Sequence, residues 1–128
     1  MPRSPVLSPS APKAIGPYSQ AVWTGNLLYC SGQTPIDPAT GKLVDGGIGE
    51  QTRQAFNNLE AVVREAGMTM DNVIKVNVYL TSMTNFAGMN QVYQERFSQP
   101  YPARTTVAVA ELPLNALVEI ELIAERDQ

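Results

Sequence analysis

The sequence contains no histidine. That removes every Ser-His-Asp and Cys-His nucleophile arrangement and every histidine-ligated metal site. It also removes the side chain best suited to moving protons near pH 7, so acid–base chemistry falls to carboxylates, tyrosine, lysine or water. Cysteine is reduced to a single residue, Cys30, so no intrachain disulfide can form and an oxidising compartment is not implied. Within "LLYCSG" this thiol reads as a small buried side chain. Gly-rich phosphate loops, dinucleotide fingerprints and metal-ligand clusters are all missing. No apolar run approaches the roughly 18 residues that span a bilayer, and "MPRSPVLSPSAPKA" at the start lacks the apolar centre of a secretory signal. Charge is scarce too. Charged residues make up 16 % of the chain and the net charge is −3. With a pI near 4.8, this argues against a nucleic-acid-binding surface, which should be basic. So little charge also hints that part of the surface is covered by a partner.

What is present fits one domain of 128 residues. The Pro/Ser-rich residues 1–13 read as a flexible N-terminal arm and residues 14–128 as a single domain. "NLLYCSGQTPI" reads as a strand after the Gly25-Asn26 turn, and "IDPATGKLV" as a reversal into a short strand or loop. From Ile48 to Ala66, the residues Ala55, Phe56, Leu59, Val62, Val63 and Ala66 recur at helical steps, and Gly67 stops the helix. "VIKVNVYL" alternates, with Ile74, Val76, Val78 and Leu80 expected on one face and Lys75, Asn77 and Tyr79 on the other. A second amphipathic helix spans about Asn85 to Phe97, started by Ser82 or Thr84. Two strands close the chain. The order predicts an α+β fold: a mixed sheet with two helices packed on one face. The other face is too apolar to be wet and too polar to be a core, which an oligomer would resolve.

The chemistry-bearing residues cluster in a few motifs. In "YPARTTVAVAE", Arg104 opens an alternating strand; in "VEIELIAE", Glu119 and Glu121 share a parity. The "ELPLNA" connection is short enough for a hairpin, which would set Arg104 beside one of these carboxylates. Such a pair serves equally well as a plain salt bridge, or as an anion clamp beside a carboxylate that orients water. "IGPYSQ" offers Tyr18, a loop tyrosine that packing alone can account for. "CSGQTP" offers Ser31 and Gly32 at a strand end, with no base to make Ser31 a nucleophile. Asn90 sits inside the second helix, where asparagine has poor propensity, either as a tolerated surface residue or as a polar group facing a site.

Taken in order, "AIGPYSQA", "YCSGQTPIDPATGKLV", the long helix–strand–helix segment and "YPARTTVAVAELPLNALVEIELIA" closely resemble the RidA (YjgF) family from about Ala14 to Glu125. The resemblance implies a chorismate-mutase-like α+β fold, mostly antiparallel, assembled as a cytoplasmic homotrimer with active sites between subunits. It implies hydrolysis of 2-imino and enamine acids, such as those released by pyridoxal-phosphate-dependent dehydratases, to 2-keto acids and ammonia, with neither metal nor cofactor. By the same resemblance Arg104 clamps the substrate carboxylate and Glu119 positions water. Tyr18, Ser31, Gly32 and Asn90 line the cleft, and Thr106, at a position often cysteine in the family, contributes backbone contacts. Less favoured alternatives are an aminomuconate-type deaminase, an endoribonuclease or translation inhibitor, and a non-catalytic chaperone-like trimer.

Overall fold

The computed structural model describes residues 3–127. Six strands form the main sheet, in the order β1-β2-β3-β8-β6-β7. They are β1 (Ser4–Val6), β2 (Ala21–Thr24), β3 (Leu27–Gln33), β6 (Val73–Leu80), β7 (Ala103–Ala108) and β8 (Val118–Glu125). The strands β4 (Ile36–Asp37) and β5 (Lys42–Leu43) make a separate two-stranded ribbon, realising the expected reversal around Gly41, whose φ of 75° favours glycine. All main-sheet neighbours are antiparallel except β6 and β7. Those two are parallel because the chain between them crosses over through a helix.

The helices are α1 (Ile48–Glu65) and α2 (Phe86–Arg96). In α1, Ala55, Phe56, Leu59, Val62 and Val63 are completely buried, and each of the larger ones contributes about 1.5–3 kcal/mol by leaving water. Glu50 Oε1 accepts the Gly47 amide at the helix start. At its end Gly67 (φ 84°) lets the Gly67 and Met68 amides reach back to Arg64 and Val63 carbonyls. Before α2, Ser82 Oγ accepts the Thr84 amide and caps a short turn. Phe56 joins the two helices through edge-on contacts with Tyr93 and Phe97 at 5.7 and 5.6 Å. Beneath them, Val76, Val78 and Leu80 of β6 and Val118, Ile120 and Leu122 of β8 point from the sheet into the same core.

Three expectations change. A register shift between Val73 and Lys75 puts Val73 in the core and leaves Ile74 43 % exposed, because a bulge inserts one residue and reverses the parity before it. Part of the segment read as an arm lies in the sheet: β1 pairs with β2, and Gln20 fastens the chain beyond it by accepting the Ser8 amide and donating to the Ser8 and Pro12 carbonyls. Residues 1, 2 and 128 of the expected arm and domain lie outside the described residues. Finally, "ELPLNA" is not a hairpin. β6 lies between β7 and β8, and the connection turns through Leu114 and Asn115 at φ 60° and 59° before entering β8. β6 thus takes the place beside β7 that a hairpin would have given to β8.

The sheet face away from the helices carries Tyr29, Asn77, Tyr79, Thr105, Val107, Glu119 and Glu121. Tyr29 and Val107 there are 45 % and 41 % exposed.

Candidate active site

Arg104 lies on the outermost strand, β7, in register with Val76 and hence on the helix side of the sheet. Its guanidinium lies 4.6 Å from the centre of the Tyr93 ring and 5.4 Å from that of Phe86. Its Nη1 donates to Asn90 Oδ1 at 2.6 Å. Phe86, Asn90 and Tyr93 fall four and then three residues apart on α2, so one helical face supplies both rings and the acceptor. Among the described residues the ion pairs are Arg64–Glu60 and Arg96–Glu60, so Arg104 keeps its charge without a carboxylate partner. It opens onto a cleft of about 390 Å³ that is also lined by Asn90, Tyr93, Gln94, Tyr101 and Pro102. A flat cation held by stacking and one neutral acceptor, with the rest of its fork uncommitted, is built to take an anion.

Glu119 stands on the opposite face. It pairs with Tyr79, and Glu121 with Asn77. Glu121 accepts from Tyr79 Oη at 3.1 Å and Asn77 Nδ2 at 3.3 Å, while Glu119 has no such donor among the described residues. Burial first, and the Glu121 charge second, push the Glu119 pKa above its usual carboxylate value. The carboxylate lies directly over Gly32, where an added Cβ would overlap Glu119 Oε2. The absence of a side chain at Gly32 is therefore what makes room for Glu119. Ser31 holds the neighbouring loop: its amide donates to Gln20 O at 2.9 Å and its hydroxyl to Ser19 O at 2.6 Å. Tyr18, 51 % exposed, precedes Ser19 on that loop.

The residues singled out from sequence thus fall into two groups. Tyr18, Ser31, Gly32 and Glu119 gather around β3 and β8, whereas Arg104, Asn90 and Thr106 gather at the β7 edge. The expected side-by-side pairing of Arg104 and Glu119 does not occur within the chain. They are separated by one intervening strand and by three residues of register along it, roughly 14 Å between Cα atoms from ideal strand spacings, and they face opposite ways. Thr106 contributes a buried hydroxyl without a hydrogen-bond partner among the described residues, in addition to its backbone. Phe86, Tyr93 and Tyr101 were not marked as site residues in the sequence. Phe86 and Tyr93 lie on the apolar stripe of the amphipathic helix expected from Asn85 to Phe97; the signal that could have found them is the polar Asn90 lying between them on one face. The thiol of Cys30 is buried, which pushes its pKa up to about 12 and leaves it inert.

A two-helix α+β domain with a cationic cleft on one side of its sheet and a desolvated carboxylate on the other defines the class of fold and site to which this chain belongs. The chain belongs to the RidA/YjgF family: residues 8–126 match the family model described as Endoribonuclease L-PSP. A RutC family protein of Pyrococcus horikoshii is 50 % identical over 122 residues, covering 95 % of this chain and 97 % of its own. A 2-iminobutanoate/2-iminopropanoate deaminase of Dermatophagoides farinae is 48 % identical, covering 95 % of each. The crystal structure of E. coli TdcF with bound serine superposes with a TM-score of 0.92 at 38 % identity, covering 97 % of this chain and 99 % of that one. The fold is the chorismate-mutase-like one of these relatives.

Proposed function

We propose that this protein hydrolyses 2-imino acids and their enamine tautomers to 2-keto acids and ammonia in the cytoplasm, as a homotrimer with its active sites between subunits and without a metal or cofactor. The observation that carries this reading is Arg104, a stacked, hydrogen-bonded guanidinium with no carboxylate partner among the described residues, opening onto a cleft sized for a small organic anion. The named deaminase among the relatives supports the reaction, and the serine seated in TdcF supports a small amino-acid-like ligand.

In this reading the substrate carboxylate lies against Arg104 of one subunit. The imine carbon faces Glu119 of the next, because the two groups of residues lie on opposite sides of one sheet and only a second copy can bring them together. Glu119 accepts a proton from water as the oxygen attacks the C=N carbon. The electron pair of the protonated imine moves to nitrogen, giving a neutral carbinolamine. The proton then passes from Glu119 to the amine, and as the C–N bond breaks the carbinolamine hydroxyl gives its own proton back to Glu119, so that ammonia leaves and a C=O group remains. An imine carbon is already electrophilic, so orientation and fixed charge suffice without a covalent nucleophile. A raised Glu119 pKa makes the carboxylate a better base than an exposed one.

The test is keto-acid release from a serine or threonine dehydratase reaction with and without the purified protein. No acceleration would sink the reading, and RNA cleavage lost in Glu119→Ala would put the endoribonuclease alternative first. Mixing tests the shared site. Arg104→Ala and Glu119→Gln proteins, each nearly inactive alone, are expected to recover about a quarter of wild-type activity after joint refolding, since random trimers give one interface in four an intact pair; no recovery would overturn the site shared between subunits. Gly32→Ala is expected to keep the fold, because the overlapping atom is the end of a flexible side chain, yet to cut turnover about a hundredfold by displacing Glu119. Turnover and melting temperature measured together check this.

A further inference from the structure

We propose that the Tyr93 hydroxyl is a further binding group for the substrate carboxylate, donating to it beside the Arg104 guanidinium. This rests on the function proposed above and adds a residue to its site. Tyr93 is 4 % exposed, and its hydroxyl oxygen is buried without a hydrogen-bond partner among the described residues. Buried hydroxyls are paired as a rule, because an unmet one keeps its full desolvation penalty. Nor can this one swing out to water. Its ring is fixed by Phe56 at 5.7 Å and Phe97 at 4.9 Å, with the Arg104 guanidinium 4.6 Å from its centre.

The neighbouring positions of this aromatic cluster, Phe56 and Phe97, are phenylalanines, and a phenylalanine at 93 would fill the same space without the stranded oxygen. The core therefore makes no use of the hydroxyl. The cleft can, because Tyr93 lines it together with Arg104 and Asn90. The same pattern recurs next door. Thr106, two residues beyond Arg104 on the same face of β7, also has a buried hydroxyl with no partner. Of the three such side chains among the described residues, Tyr93 is the one that lines this cleft. The Tyr93 hydroxyl is thus an orphaned donor in a cleft whose guanidinium also lacks a carboxylate partner among the described residues, and one carboxylate can serve both. Burial also raises the Tyr93 pKa, against the opposing pull of the Arg104 charge, so the phenol keeps the proton it would donate.

Tyr93→Phe tests this with three readings. In the dehydratase-coupled assay KM is expected to rise about tenfold with kcat within about twofold, the effect of losing one charge-assisted hydrogen bond. Pyruvate, used as a carboxylate probe in a thermal-shift titration, is expected to bind about tenfold more weakly. The unliganded melting temperature should stay the same or rise, since the substitution deletes an unsatisfied buried oxygen. Unchanged KM and pyruvate affinity would overturn the proposal. So would a lower unliganded melting temperature or a changed oligomeric state, either of which assigns the hydroxyl a structural partner. If the wild type released no keto acid, the deaminase reading would fall. The pyruvate titration would still decide whether Tyr93 meets a carboxylate.

Discussion

Arg104→Ala is expected to lower kcat/KM for a 2-imino acid about 10²–10³-fold, with the loss visible in the coupled assay at concentrations where the wild type is saturated. A two-pronged contact between guanidinium and carboxylate comprises two charge-assisted hydrogen bonds of about 1.5–3 kcal/mol each, and part of that total is recovered by water in the variant. Arg104→Lys is the sharper comparison. Lysine keeps the charge but loses the flat surface that stacks on Tyr93 and Phe86 and the fork that serves Asn90 and a carboxylate together. Lysine is therefore expected to recover less than a tenth of the lost activity. Full recovery would mean that a point charge is enough and that the aromatic packing is incidental. Stability should fall only slightly in either variant, because Arg104 makes no ion pair among the described residues and sits on an edge strand.

Glu119→Gln is expected to do two opposite things: lower turnover about 10²–10⁴-fold, as loss of a general base does, and raise the melting temperature at neutral pH. The second effect follows from the raised pKa of Glu119, caused by burial and then by Glu121. A carboxyl whose folded pKa lies above its unfolded value binds its proton more tightly in the folded state. Stability therefore falls as pH rises through the window between the unfolded value and the raised folded one. Glutamine has no charge to desolvate, so the two proteins should melt together at acid pH below that window and separate above it, with Gln the more stable. Melting curves from acid to neutral pH measure this directly. A wild type more stable than Glu119→Gln at pH 7 would show that the ionised carboxylate has a favourable contact in the assembled protein.

Local features of this fold were legible because local rules govern them. The stripe from Ala55 to Val63 and the stop at Gly67 gave α1 to within a residue at its end, and the alternation in "VEIELIAE" set Val118, Ile120 and Leu122 against Glu119 and Glu121. The failures were all non-local. Nothing in "ELPLNA" says that the chain must step over β6 instead of turning back beside β7, so Arg104 and Glu119 were expected on neighbouring strands. The bulge at Val73 leaves no mark in "VIKVNVYL", since parity alone suits either register. Pro/Ser composition hid the pairing of Ser4–Val6, because a three-residue edge strand needs little propensity once β2 offers it partners. The seven candidate residues were named from their motifs or from the family resemblance. That they stand in two groups on opposite faces is a property of the sheet order, which no short motif contains.

The solitary cysteine has one more consequence. With its pKa pushed up to about 12 by burial, Cys30 stays a thiol at neutral pH, and the sulfur lies beneath the helices on β3. Oxidants and alkylating reagents therefore meet an unreactive surface for as long as the sheet stays closed. Labelling at this one sulfur counts excursions of the chain out of its native state, so the molecule carries its own clock for unfolding.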